Sequence, residues 1–153
     1  MSKLTLEQEL ATKEQEVAAI RKKIAEEAQR NKPKSIMDTI KTMDDVYASK
    51  YLTEDDKRFF KFKDMLTKDE LAYFNAKCIA KVLNEGHVFK MDGSENRYYP
   101  YFYLSSGFVF DIALCDVSIA DAASASALCF LSRELALYAG KQFEEVYRDL
   151  IIG

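Results

Sequence analysis

Leu6, Leu10, Lys13, Val17, Ile20 and Ile24 recur at alternating spacings of four and three, which lines them up as the seam of a coiled coil. A lone amphipathic helix cannot hide such a stripe from water, so the leader predicts a helix covered by another helix. Residues 4–30 contain neither Gly nor Pro and are rich in Glu, Lys, Ala, Gln and Arg, all strong helix formers. With Leu10, Val17 and Ile24 at a and Leu6, Lys13 and Ile20 at d, the two β-branched a residues suit parallel pairing. Lys13 is a defect in the seam that penalises registers placing it against apolar layers. In a parallel dimer Glu9 would repel Glu14 and Glu16 would attract Arg21, so the charges do not set helix orientation. A seam of about three heptads is marginal as an isolated coil. Self-association is the assignment made for it; docking on the chain's own domain or on a different protein are the alternatives.

The leader, residues 1–32, is joined to the rest by Asn31-Lys32-Pro33-Lys34-Ser35, where Pro33 ends one helix and Ser35 can cap the next. Ile36, Ile40, Met43 and Tyr47 then predict a short second helix over 36–48. Thr53-Glu54-Asp55-Asp56 reads as another helix start, continuing through Phe59, Phe60, Phe62, Met65 and Leu66. Thr67, followed by Asp69 and Glu70, opens a core helix carrying Leu71, Phe74, Cys78, Ile79, Val82 and Leu83, which stops at Asn84-Glu85-Gly86. Beyond Gly86 the texture becomes aromatic and β-branched. Strands are predicted at 87–91, 97–104, 108–114 and 127–131, with turns at 92–96 and 105–107. Pro100 requires its strand to lie at an edge or to contain a bulge. Residues 116–126, rich in Ala, Ser and Asp, fit either a loop or a helical turn. Ser132 caps a closing helix with Leu135, Ala139, Phe143, Val146 and Leu150 on one side. Helices, then an antiparallel meander, then a helix make an α+β domain over 33–153.

Length and composition agree with that plan: 153 residues, 48% apolar and 12% aromatic, are enough for one packed core plus an extension. A net charge of −3 leaves nucleic acid binding to a local basic patch and disfavours it as the main activity. The start MSKLTLEQEL lacks the basic-then-apolar order of a signal peptide, and no apolar run reaches a membrane-spanning length. Cys78, Cys115 and Cys129 are widely spaced among apolar or small residues, with no CxxC pair, and His87 is the single histidine. They read as buried hydrophobes in a reducing compartment, and no metal or cofactor is expected.

Tyr98-Tyr99-Pro100-Tyr101-Phe102, Ser106-Gly107-Phe108, Cys129-Phe130-Leu131-Ser132-Arg133-Glu134-Leu135-Ala136 and above all Tyr138-Ala139-Gly140-Lys141-Gln142-Phe143 resemble the pattern of a family of small uncharacterised proteins of phages and prophages of gut anaerobes. The resemblance covers residues 36–150. It implies a phage-related setting and supplies no catalytic residues. This chain departs from the commoner pattern in having no tryptophan, with Tyr101 where the family often has one, and in its longer leader.

Three further features bear on function. In a strand, Tyr99, Tyr101 and Tyr103 share one face while Tyr98, Phe102 and Leu104 share the other, so a helix of the chain or a partner should cover the tyrosine side, with stacking on bases as a third option. Lys57, Arg58, Lys61 and Lys63 interleave with Phe59, Phe60 and Phe62, a chemistry used for single-stranded nucleic acid, though Glu54, Asp55 and Asp56 beside it repel phosphate. His87 has no nameable nucleophile, Asp111 and Asp116 are not expected to converge, and Gly140-Lys141 lacks the rest of a phosphate loop. The sequence therefore predicts a non-enzymatic, phage-associated interaction or structural protein. It would be a homo-oligomer built through Leu6, Leu10, Lys13, Val17, Ile20 and Ile24, with Tyr99, Tyr101 and Tyr103 facing other phage structural proteins. Its place would be the host cytoplasm or the virion, away from membranes. A nucleic-acid-binding regulator using Lys57, Arg58, Lys61 and Lys63 is the alternative.

Overall fold

The computed structural model describes residues 3–30, 34–90, 92–104, 107–116 and 126–153, and the chain divides into two units, Met1–Lys34 and Ser35–Gly153. The first unit is α1, Lys3–Arg30, unbroken as its composition of strong helix formers dictates. The predicted joint at 31–33 lies outside the described residues.

The second unit is α+β. Its order is α2 (Ile36–Thr39), α3 (Met43–Ala48), two 3-10 turns (Arg58–Lys61 and Lys63–Met65), α4 (Lys68–Leu83), β1 (Arg97–Tyr103), β2 (Val109–Asp116), a third 3-10 turn (Ser126–Leu128), α5 (Arg133–Gln142) and α6 (Glu144–Ile152). One local device recurs at its starts: a Ser or Thr with an acid three residues later. The Ser35 amide donates to Asp38 at 2.9 Å, the Thr42 amide to Asp45 at 2.8 Å and the Thr67 amide to Glu70 at 2.8 Å. Thr53 and Asp56 form the same exchange, at 2.7 and 3.3 Å, but the chain then winds into tight 3-10 turns, where the sequence predicted an ordinary helix. That winding buries Phe59 completely and leaves Phe60, Phe62 and Met65 exposed.

α4 is the central element, with Ala72, Ala76, Ile79, Val82 and Leu83 all buried, and it packs on α3, α5 and α6. It ends where Glu85 and Gly86 take positive φ of 53° and 79°, letting the Gly86 amide return to the Lys81 carbonyl at 2.8 Å. The second helix predicted over 36–48 is split into α2 and α3 at Ile40, whose extended backbone leads to the Thr42 cap. The closing helix likewise breaks at Phe143, with φ −119° and ψ 33°, which turns Tyr147 of α6 into the core.

The sheet has two antiparallel strands, β1 and β2, running from Arg97 opposite Asp116 to Tyr103 opposite Val109. An irregularity between Tyr101 and Phe102 leaves Asp111 as the extra residue of β2, so the strand with Pro100 lies at an edge and the bulge falls on its partner. Neither further predicted strand of the meander forms as such among the described residues. At Lys90 side chains take the backbone groups: Glu95 accepts from the Lys90 amide and Arg97 donates to the Lys90 carbonyl, each at 2.6 Å. Met91 lies outside the described residues. At 127–131 a 3-10 turn leads to a single bridge, Tyr98 to Phe130. On either side of that bridge the Asn84 amide donates to the Cys129 carbonyl at 2.8 Å and its oxygen accepts from the Leu131 amide at 2.9 Å. The turn predicted at 105–107 and the open choice over 116–126 fall largely outside the described residues.

The Tyr-Ala-Gly-Lys-Gln-Phe string has a packing logic. Tyr138 donates to the Ile40 carbonyl, and Gln142 donates to the Lys41 carbonyl at 2.7 Å, so one face of α5 staples the α2–α3 link. Ala139 is fully buried. A Cβ on Gly140 would collide with the Phe110 ring and Pro100, so glycine is what lets α5 seat directly on the sheet.

Candidate functional site

The predicted seam residues lie along α1. Leu10, Val17, Ile20 and Ile24 are exposed by 60, 47, 55 and 61%, and Lys13 is exposed beside them. Leu6 lies on the same helix, with its side chain outside the described residues. Single exposed apolar side chains are ordinary, but at this spacing they line one side of the helix.

The sheet gives the second surface. Tyr99 pairs with Leu114, Tyr101 with Ile112 and Tyr103 with Val109, and directly opposed residues share a face. All three tyrosines therefore lie on one face, as the alternation predicts. Tyr101 and Tyr103 are exposed by 40 and 52%, together with Ile112 and Val109, and the two tyrosine rings meet edge to face at 5.7 Å. The opposite face carries Phe102, which stacks on Phe108 at 4.5 Å and lies 5.5 Å from the rings of Phe110 and Tyr147. The sheet thus has one core face and one aromatic face open in this chain.

The basic segment is divided by its 3-10 winding. Phe59 anchors it, stacked on Phe74 at 5.0 Å and on Phe60 at 4.5 Å. Arg58, Lys61 and Lys63 stay exposed, Lys57 is half-buried, and Phe60 and Phe62 stand at the surface between them. The arrangement retains the interleaving seen in sequence, on a rigid aromatic base.

His87 lies beside a cavity of about 430 Å³ whose wall includes Cys78. Burial pushes the Cys78 thiol up to about 11, so it is not a thiolate at neutral pH, and His87 Nε2 lies 2.9 Å from Glu95 Oε1. Asp111 sits on β2 as the exposed bulge residue, and the side chain of Asp116 lies outside the described residues. Among the described residues no group of three or more His, Cys, Asp or Glu is arranged to hold a metal ion. Also among them, no helix is long and apolar enough to cross a membrane. Sequence reasoning missed the cavity because its wall comes from four separate segments. The one available signal was Lys77 and Lys81, four apart on one side of α4.

Comparison with protein-family models, curated proteins and solved structures gives no match for this chain.

Proposed function

We propose that the chain is a non-enzymatic interaction protein that multimerises through α1, acting in a phage or prophage setting as a structural component in the host cytoplasm or the particle. One observation carries the reading: Leu10, Val17, Ile20 and Ile24 recur at seam spacing along the unbroken helix α1 with exposed side chains. Full burial of one Leu, Ile or Val is worth about 1.5–3 kcal/mol, so a second copy of the ridge offers a substantial gain. The Cys78 thiol, kept protonated by burial, supports the non-enzymatic part. The phage setting rests on the sequence pattern of residues 36–150. Tyr101 and Tyr103 are the surface offered to other structural proteins.

Light scattering on the full chain and on the full-length double variant Val17→Glu, Ile24→Glu tests the assembly. A multimer that becomes a monomer in the variant supports it; two monomeric masses overturn it. A second reading, a nucleic-acid-binding regulator, draws on the exposed Phe60 and Phe62 between Arg58, Lys61 and Lys63. Titration with labelled single strands at two salt concentrations tests that one, and absence of salt-sensitive binding ends it.

A further inference from the structure

The cavity beside His87 lies within the α+β unit and is formed by the 55–58 turn, one side of α4, the 87–89 segment and Ala127 of the third 3-10 turn. Its volume, about 430 Å³, is in the range that holds small organic ligands. Two rings form its apolar wall. Phe74 is fixed by its parallel stack on Phe59, with 6° between the planes. Phe89 is held edge-on to His87 at 5.4 Å and has the Arg97 guanidinium 5.7 Å from its centre. Both rings are therefore in place before anything binds.

The charges around this wall are unequally committed. Asp56 Oδ2 accepts from the Thr53 amide, the Thr53 hydroxyl and Lys81 Nζ, each at 2.7 Å. Its negative charge is spent inside the protein. Lys81 keeps donors beyond the one given to Asp56, since an ammonium has three. Among the described residues Arg58 has no ion-pair partner, and Lys77 has only the face of Tyr73 at 5.6 Å. Asp55 is the one carboxylate of the lining left uncommitted. Positive donors thus outnumber negative groups at a rim whose floor is aromatic.

We infer that this cavity binds a small organic anion with a flat apolar body, the body between Phe74 and Phe89 and the anionic group at Arg58, Lys77 and Lys81. A guanidinium and two ammonium groups match a carboxylate, sulfonate or phosphate oxygen set, and the rings match a planar ligand. Association through α1 and this site are independent, and each can fail alone.

The test uses the full chain, isotope-labelled, titrated with 1-naphthalenesulfonate and with neutral 1-naphthalenemethanol, following backbone amide shifts. The expected result is saturable shifts centred on Cys78, Lys81, Asn84 and Val88, with the neutral compound at least about tenfold weaker. The double variant Arg58→Gln, Lys77→Gln, whose side chains are exposed, should keep its spectrum yet bind the sulfonate at least about tenfold less tightly. Equal binding of the two compounds, unchanged affinity in the variant, or shifts centred elsewhere would overturn the assignment. In a second arm, benzoate and adenosine monophosphate separate a carboxylate from a nucleotide as the source of the anion.

Discussion

Lys81 Nζ lies 2.7 Å from Asp56 Oδ2, joining the turn before the first 3-10 winding to the last turn of the unit's central helix. Partial burial pushes the Asp56 carboxyl up, but hydrogen bonds from Lys81 and Thr53, aided by the ammonium charge, more than reverse this and hold it below its ordinary value. A carboxyl depressed in the folded state stabilises above its unfolded value, and that contribution is lost as pH falls through the lower, folded value. Asp56→Asn should therefore cost about 1 kcal/mol at pH 7. The difference from wild type should shrink as pH drops below 3.8. Urea unfolding at pH 7 and pH 3 measures it, and an equal difference at both would refute the linkage.

Asn84→Ala should cost about 2–3 kcal/mol, because it leaves the buried Cys129 carbonyl without that donor and frees the Leu131 amide. Hydrogen exchange at Leu131 should accelerate with it. Unchanged urea midpoints would show that the clamp is dispensable.

Gly140→Ala should destabilise the unit by about 1–3 kcal/mol, since the added methyl meets the Phe110 ring and Pro100. Ala is otherwise the better helix former, so a stabilised variant would mean α5 does not seat on the sheet this closely. Thermal unfolding decides the sign.

Tyr147→Phe should be neutral or stabilise by up to about 1 kcal/mol. Among the described residues the buried Tyr147 hydroxyl has no hydrogen-bond partner, so its removal relieves an unmet desolvation cost. A clear loss of stability in chemical denaturation would reveal a partner for that hydroxyl.

The features legible in the sequence are those encoded locally. Thr67 with Glu70 and Ser132 before Arg133 mark the starts of α4 and α5 because a cap and its hydrogen-bond partner sit within one turn. Pro100 marks an edge because it lacks a donor wherever it stands. The alternation of Tyr99, Tyr101 and Tyr103 places them on one face. The two strands that do not form needed information from afar. Residues 129 and 131 look like strand but are satisfied by Asn84, 45 and 47 residues away, and propensity cannot register a side chain so distant. The 3-10 winding at 58–65 escapes local reading for a related reason: Phe59 stacks on Phe74, a residue of another helix. The cavity is not legible in the sequence because only folding brings its four wall segments together.

The bonds from Tyr138 to Ile40 and from Gln142 to Lys41 span 98 and 101 residues. During synthesis the segment holding Ile40 and Lys41 leaves the ribosome long before its fasteners do. That early segment must wait, loosely held, until the chain's last quarter emerges, so folding of this unit closes late and depends on its slowest, most distant pairing.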